Sequence, residues 1–184
     1  MPSFLTAKMQ PWYAAILLGI APCAMAQDDL NHGLDHLLIE AAIARDLPIT
    51  ALEPYDTLFK IFEDLSKEDI LSMLKTSLVS EDQSEDLAVT LVELYFKGES
   101  RLLWEVSRQM AYDTPQMTRE TADAEMAKME EVMMAKRNRA WIPVITKAAE
   151  TGPVLVAFGA LHLSGEEGVL NLLKADGWQL SPLF

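Results

Sequence analysis

The sequence predicts an α/β fold: helix-rich, with a small mixed or parallel sheet whose strands lie near residues 48–52, 153–158 and 178–182. Three observations predict it. Apolar residues recur at helical spacing along most of the chain. Pro153-Val154-Leu155-Val156-Ala157-Phe158 is a continuous apolar, β-branched run, the pattern of a central strand covered on both faces. The order strand, loop, helix, strand at the C-terminus then makes a right-handed βαβ unit the natural assembly.

The elements follow in order. Leu34, Leu37, Leu38, Ala41 and Ala42 mark an amphipathic helix from Gly33 to Arg45. Pro48 to Leu52 is a short β-rich run between that helix and Pro54, and reads as a buried strand. Tyr55, Leu58, Phe59 and Phe62 give the next helix its apolar face. Ser66 and Asp69 form a capping-box-like start for a helix from Lys67 to Leu78. Asp113-Thr114-Pro115 breaks the helical pattern. It resumes from Thr118 to about Ala149, with Pro143 expected to kink or divide it. Met126, Met129, Met133 and Met134 lie near one face of that run and read as core rather than as metal ligands. After Phe158, Ser164 with Glu167 reads as the cap of a last helix running to Ala175, closed by Gly177 in a left-handed conformation. Trp178 to Ser181 is the final strand.

A length of 184 residues favours a single domain able to bury a core without disulfides or a structural metal. The net charge of −13 disfavours nucleic acid, since no basic stripe offsets it. Over half of that charge falls between Ile61 and Ser100, which reads as a solvated helical face. The lone Cys23 excludes an internal disulfide framework and a multi-cysteine zinc site. Residues 9–26 are uncharged and apolar but interrupted by Pro11 and Pro22, so no transmembrane span is expected. They fit a signal peptide cleaved after Ala24-Met25-Ala26, or an internal helix beginning at Pro11.

Three residues carry candidate chemistry. His162 follows the longest predicted strand in Gly159-Ala160-Leu161-His162, where Gly159 is expected to permit a tight turn and the imidazole is placed to ligate a metal or move a proton. Glu53 ends another predicted strand and can share a metal or a proton with it. Arg137, with Asn138, Arg139 and Trp141 around it, can clamp a carboxylate or a developing oxyanion. Each also has a plain reading: a loop histidine that bonds a neighbouring carbonyl, a structural glutamate and helix-surface charge. His32 and His36 stand at i and i+4, but at a helix start with no strand before them, so a metal site there is not expected. No G-x-S-x-G elbow, P-loop, G-x-G-x-x-G or H-E-x-x-H is present.

These residues resemble a family. Arg137-Asn138 with Trp141, the apolar run into Gly159-Ala160-Leu161-His162-Leu163-Ser164-Gly165, then Gly168-Val169-Leu170, Leu172-Leu173 and Gly177, look like the C-terminal signature of the TraB/PrgY/GumN family. Pro11-Trp12, Gly33-Leu34-Asp35 and Leu52-Glu53 resemble landmarks of its GumN-type bacterial members. The resemblance implies a Tiki- and erythromycin-esterase-like α/β fold and a metal-dependent, peptidase-like hydrolase acting on a peptide or small-molecule substrate. It further implies a site of two G-x-x-H motifs, a glutamate and an arginine. By position His162 matches the second motif, Glu53 the glutamate and Arg137 the arginine, with His162 and Glu53 as ligands of a divalent metal. The family's first G-x-x-H precedes the Pro-Trp landmark, so this sequence is expected to lack that histidine and to bind metal weakly and hydrolyse slowly or not at all. A non-catalytic binding or signal-modulating protein is the alternative. The resemblance also favours the internal helix at 9–26, and implies a bacterial protein that is periplasmic or exported where a signal accompanies the domain and cytoplasmic otherwise.

Overall fold

The computed structural model describes residues 8–20, 33–79, 84–114 and 117–183. Nine α-helices lie among them: α1 Pro11–Leu18, α2 Leu34–Ile43, α3 Thr57–Glu63, α4 Lys67–Val79, α5 Ser84–Phe96, α6 Ser100–Tyr112, α7 Arg119–Glu130, α8 Lys136–Ala149 and α9 Val169–Ala175. A π-helical turn, Glu131–Ala135, joins α7 to α8, and a single 3₁₀ turn covers Ala160–His162. The chain forms two compact units. One comprises Met1–Gln27 with Leu58–Asp123, the other Asp28–Thr57 with Ala124–Phe184.

In the first unit α1 starts on Pro11, whose missing N–H is not needed in a first turn. It packs on α4 through Ala15, which is buried and lets the two backbones approach. Ser77 Oγ of α4 donates to Ala15 O at 3.0 Å and to Met73 O at 2.9 Å. Trp12 stacks on Phe62 of α3 with ring centroids 4.9 Å apart and meets Phe59 edge-on. Trp12, Ile16 and Leu17 are half-buried, whereas Ile20, placed on the same face by its spacing, is exposed. Residues 21–26, with Cys23 and the Ala24-Met25-Ala26 motif, lie outside the described residues. At the head of α4 the Ser66–Asp69 box forms as its residues predict: Asp69 N donates to Ser66 Oγ, and Ser66 N to Asp69 Oδ2, both at 3.1 Å.

The second unit is where the predicted sheet fails. Residues 48–52, 153–158 and 178–182 contain no strand, and among the described residues no backbone hydrogen bond joins one of these segments to another. The α/β expectation is therefore replaced by an all-helical architecture, and the buried strand at Pro48–Leu52 by a segment exposed up to Leu52. The composition marks these segments as lying outside the long helices, as they do, but not that they are left unpaired. Val156 and Phe158 alternate inward with an exposed Ala157, so one side of the segment is covered. Leu155 is 81% exposed, where a central strand would bury it.

What these segments cover is a helical core of Trp141, Ile145 and Val169, with Leu52, Ile142, Val156, Phe158 and Leu173 packed around it. Trp141 and Ile145 sit one turn apart on α8, and α9 packs against that face. Pro143 falls inside α8 without ending or dividing it, although its missing N–H costs the helix one backbone hydrogen bond. The irregularity in this run lies upstream instead, in the π-turn.

Turns aim the connecting segments. After α2, Asp46 takes a left-handed φ of 54° and Leu47 N donates back to Ala42 O at 3.0 Å, closing a Schellman-type turn. That turn sends the chain toward Glu53. Gly177, at φ 96°, closes α9 as its position predicts. Ser164 does not cap α9: the helix begins four residues beyond the expected start, with Gly168 at its N-cap, and Ser164 Oγ is buried with no hydrogen-bond partner among the described residues. Gly159 has an ordinary negative φ, so the turn there closes by His162 N donating to Gly159 O at 2.9 Å and not through any glycine-only conformation.

Gly168 is the position where only glycine fits. A Cβ there would stand 2.4 Å from Ser164 O and 2.7 Å from Leu163 O, both backbone atoms that cannot swing aside. Gly168→Ala should therefore destabilise the protein by about 2 kcal/mol, within the range of overpacking. Denaturant unfolding checks this, and an unchanged midpoint would contradict the close approach.

Candidate functional site

Glu53, Arg137 and His162 come from three distant parts of the chain and meet at the edge of the Trp141 core. No sheet brings them together. The Asp46 turn delivers Glu53, the first turn of α8 carries Arg137, and the 3₁₀ turn presents His162. Arg137 and Trp141 are one helical turn apart, so both face Glu53.

Arg137 forks onto the carboxylate: Nε donates to Glu53 Oε2 at 3.0 Å and Nη2 to Oε1 at 2.6 Å. Trp141 Nε1 donates to Oε2 at 3.1 Å. The remaining guanidinium nitrogen, Nη1, donates to Met133 O in the π-turn at 2.8 Å and lies 3.4 Å from His162 Nε2. The guanidinium also lies against the Trp141 ring, 5.1 Å from its centre.

His162 is buried, its ring 4.5 Å from that of Trp141 and edge-on to Phe158. Its Nδ1 lies 2.5 Å from Asn138 Oδ1, and Asn138 Nδ2 donates to Glu167 O at 2.7 Å. A carbonyl can only accept, which fixes the amide orientation and leaves Oδ1 as the acceptor for His162. A guanidinium can only donate, which makes Nε2 the bare nitrogen. Both neighbours thus select the neutral Nδ1–H tautomer.

Electrostatics agree with that state. Desolvation by burial, then the Arg137 charge, lower the His162 pKa from 6.5 to about 4, against a smaller opposing pull from Glu53. For Glu53 burial opposes ionisation, but the bonds and charge of Arg137, with the Trp141 bond and His162, outweigh it and hold the carboxyl below its ordinary range. At neutral pH the cluster is carboxylate, guanidinium and neutral imidazole.

Among the described residues no group of three or more His, Cys, Asp or Glu side chains is placed to hold a metal. Both Glu53 oxygens are taken by Arg137 and Trp141, and the guanidinium stands beside His162 Nε2. A divalent cation shared by Glu53 and His162 would displace or adjoin a positive charge, so the donors as arranged do not fit one. His36 pairs with Glu40 at 3.2 Å on the exposed face of α2, and His32 lies outside the described residues. Met126, Met129, Met133 and Met134 are half-buried and none belongs to the Trp141 core.

The residues that sequence reasoning did not place at the site are Glu131, Met133, read as core, and Glu167, read as a helix cap. Met133 contributes a main-chain carbonyl, which no side-chain pattern reveals. Arg139 donates to Glu167 Oε2 at 2.6 Å and also pairs with Glu131 Oε1. The eight-residue spacing of Glu131 and Arg139 was the available signal, obscured because a π-turn changes which residues share a face.

Fold and cluster together define a helical protein with a buried histidine joined to an arginine–glutamate pair. The chain belongs to the TraB/PrgY/gumN family, whose model matches residues 1–182. No curated protein and no solved structure matches it. No described helix is long and apolar enough to cross a membrane.

The His162 shift makes stability pH-dependent. Unfolded, the imidazole titrates near 6.5; folded, at about 4. Between those values the unfolded chain binds more protons, so stability is complete above pH 6.5 and is lost as pH falls toward 4. Glu53, also depressed, adds to the loss at lower pH. Urea midpoints measured from pH 7.5 to 4 should fall, and the slope between 6.5 and 4 should flatten in His162→Gln. Equal slopes would contradict the assignment.

Proposed function

We propose that this chain carries a hydrolase site of the peptidase-like kind its family resemblance implies, in which His162 acts as general base and Arg137 steadies developing negative charge. One observation carries the reading: His162 Nδ1 lies 2.5 Å from Asn138 Oδ1 and Nε2 3.4 Å from a guanidinium donor, which together favour a neutral ring with Nε2 as the basic nitrogen. Water that takes the place of the long 3.4 Å guanidinium contact at Nε2 gives up a proton to it as the water oxygen attacks a carbonyl carbon. The carbonyl electrons move to oxygen beside Arg137 Nη1, and collapse of the adduct expels the leaving group, which takes the proton back from Nε2. A base with a pKa of about 4 is fully available at neutral pH but weak, so turnover is slow. Glu53 holds the guanidinium in place by accepting from Nε and Nη2. The divalent metal implied by the resemblance does not fit these donors, whose lone pairs already face Arg137 and Trp141.

A second reading has an observation of its own. Every donor direction of the Arg137 fork toward Glu53 is already filled, which suits a non-catalytic protein that keeps the cluster for stability and uses its surface for binding.

Hydrolysis of peptide and ester substrates by the full 184-residue chain, between pH 5 and 9, with and without added Zn²⁺ or Mn²⁺, decides between them. The proposal expects slow, metal-independent turnover that His162→Gln abolishes. Equal rates for the two proteins would favour the binding reading, and turnover only with stoichiometric metal would show that the donors rearrange around an ion.

A further inference from the structure

His162 is oriented by a chain of bonds that starts outside the cluster. Asn138, 2% exposed, accepts from His162 Nδ1 and donates to the Glu167 carbonyl. Glu167 is held at its other end by Arg139, which reaches back to Glu131 in the π-turn. Just beyond Glu167, Gly168 lies in backbone contact with Leu163 and Ser164, and Val169 is anchored in the core at 1% exposure. The carbonyl that orients Asn138 is therefore fixed on both sides.

We propose that Asn138 is a positioning residue that sets the His162 tautomer, and that the Glu131–Arg139–Glu167 clasp holds the carbonyl from which Asn138 takes its own orientation. Its catalytic meaning rests on the hydrolase reading above; its structural content does not. Free histidine in water favours the Nε2–H tautomer, which would point a proton at the Arg137 guanidinium and leave no acceptor for water. Asn138 reverses that preference. An asparagine amide offers both an acceptor and a donor, and here both are used, so only one amide orientation serves both bonds. Helix geometry makes the link possible: Asn138 and Trp141 are three residues apart, so the amide sits beside the ring on which His162 packs. Arg139 is half-exposed, and its ion pairs on their own contribute little to stability. Its effect is to be read at His162, not in a melting curve.

The test is ¹⁵N NMR of the histidine-labelled 184-residue protein at pH 7, with the His162 signals assigned by their loss in His162→Gln. The expected result is Nδ1 protonated and Nε2 bare in the wild type. Asn138→Ala should shift the ring to the Nε2–H form. Asn138→Asp, whose carboxylate still accepts from Nδ1–H, should keep the wild-type tautomer, and Arg139→Ala should populate both forms. A purely structural asparagine would leave the tautomer unmoved. An Nε2–H ring in the wild type overturns the proposal, and this measurement stands even where the alanine variant does not fold. An unchanged Nδ1–H ring in folded Asn138→Ala overturns it equally. The predicted tautomer in a wild type that hydrolyses nothing would support the positioning role while removing the hydrolase reading.

Discussion

The fork between Arg137 and Glu53 is the interaction on which the rest of the second unit depends. It joins residues 84 positions apart and ties an exposed, irregular segment to the start of α8. Taking a guanidinium and a carboxylate out of water is expensive, and each alone would be strongly unfavourable. The cost is offset because the remaining lone pairs and donors are used: Trp141 bonds the carboxylate and the Met133 carbonyl takes Nη1. Remove either charge and the other is left facing an indole, an imidazole and little water.

The same pair governs His162. Burial against Trp141 and Phe158, and then the guanidinium next to Nε2, keep the ring unprotonated. Glu53 softens the positive field but does not reverse it. A cluster arranged this way has already supplied its own cation, which is the physical reason that its donors do not suit a divalent metal. The π-turn takes part as well, since its Met133 carbonyl accepts from Arg137 Nη1.

Much of the helical structure was legible in the residues. The spacing of Leu38, Ala41 and Ala42 gives α2 its half-buried face, though Leu34 and Leu37 stay exposed. Ser66 with Asp69, and Gly177, mark their helix ends because capping is local chemistry. The sheet was misread for an equally physical reason. Val154 to Phe158 has the composition of a strand, but pairing depends on a second backbone at the right distance, and composition says nothing of that partner. The site followed the same division. Glu53, Arg137 and His162 were visible as chemically able residues at element ends, whereas the Met133 carbonyl, the Glu167 carbonyl and the Glu131–Arg139 pair depend on main-chain placement and on a helical irregularity.

A double-mutant cycle on Glu53→Gln and Arg137→Met, read by urea unfolding at pH 7.5, tests the central role of this pair most directly. The account predicts a coupling energy of about 2 kcal/mol, with the double variant more stable than the sum of the single losses implies, because removing both charges leaves neither stranded. Additive losses, with a coupling below about 0.5 kcal/mol, would contradict it.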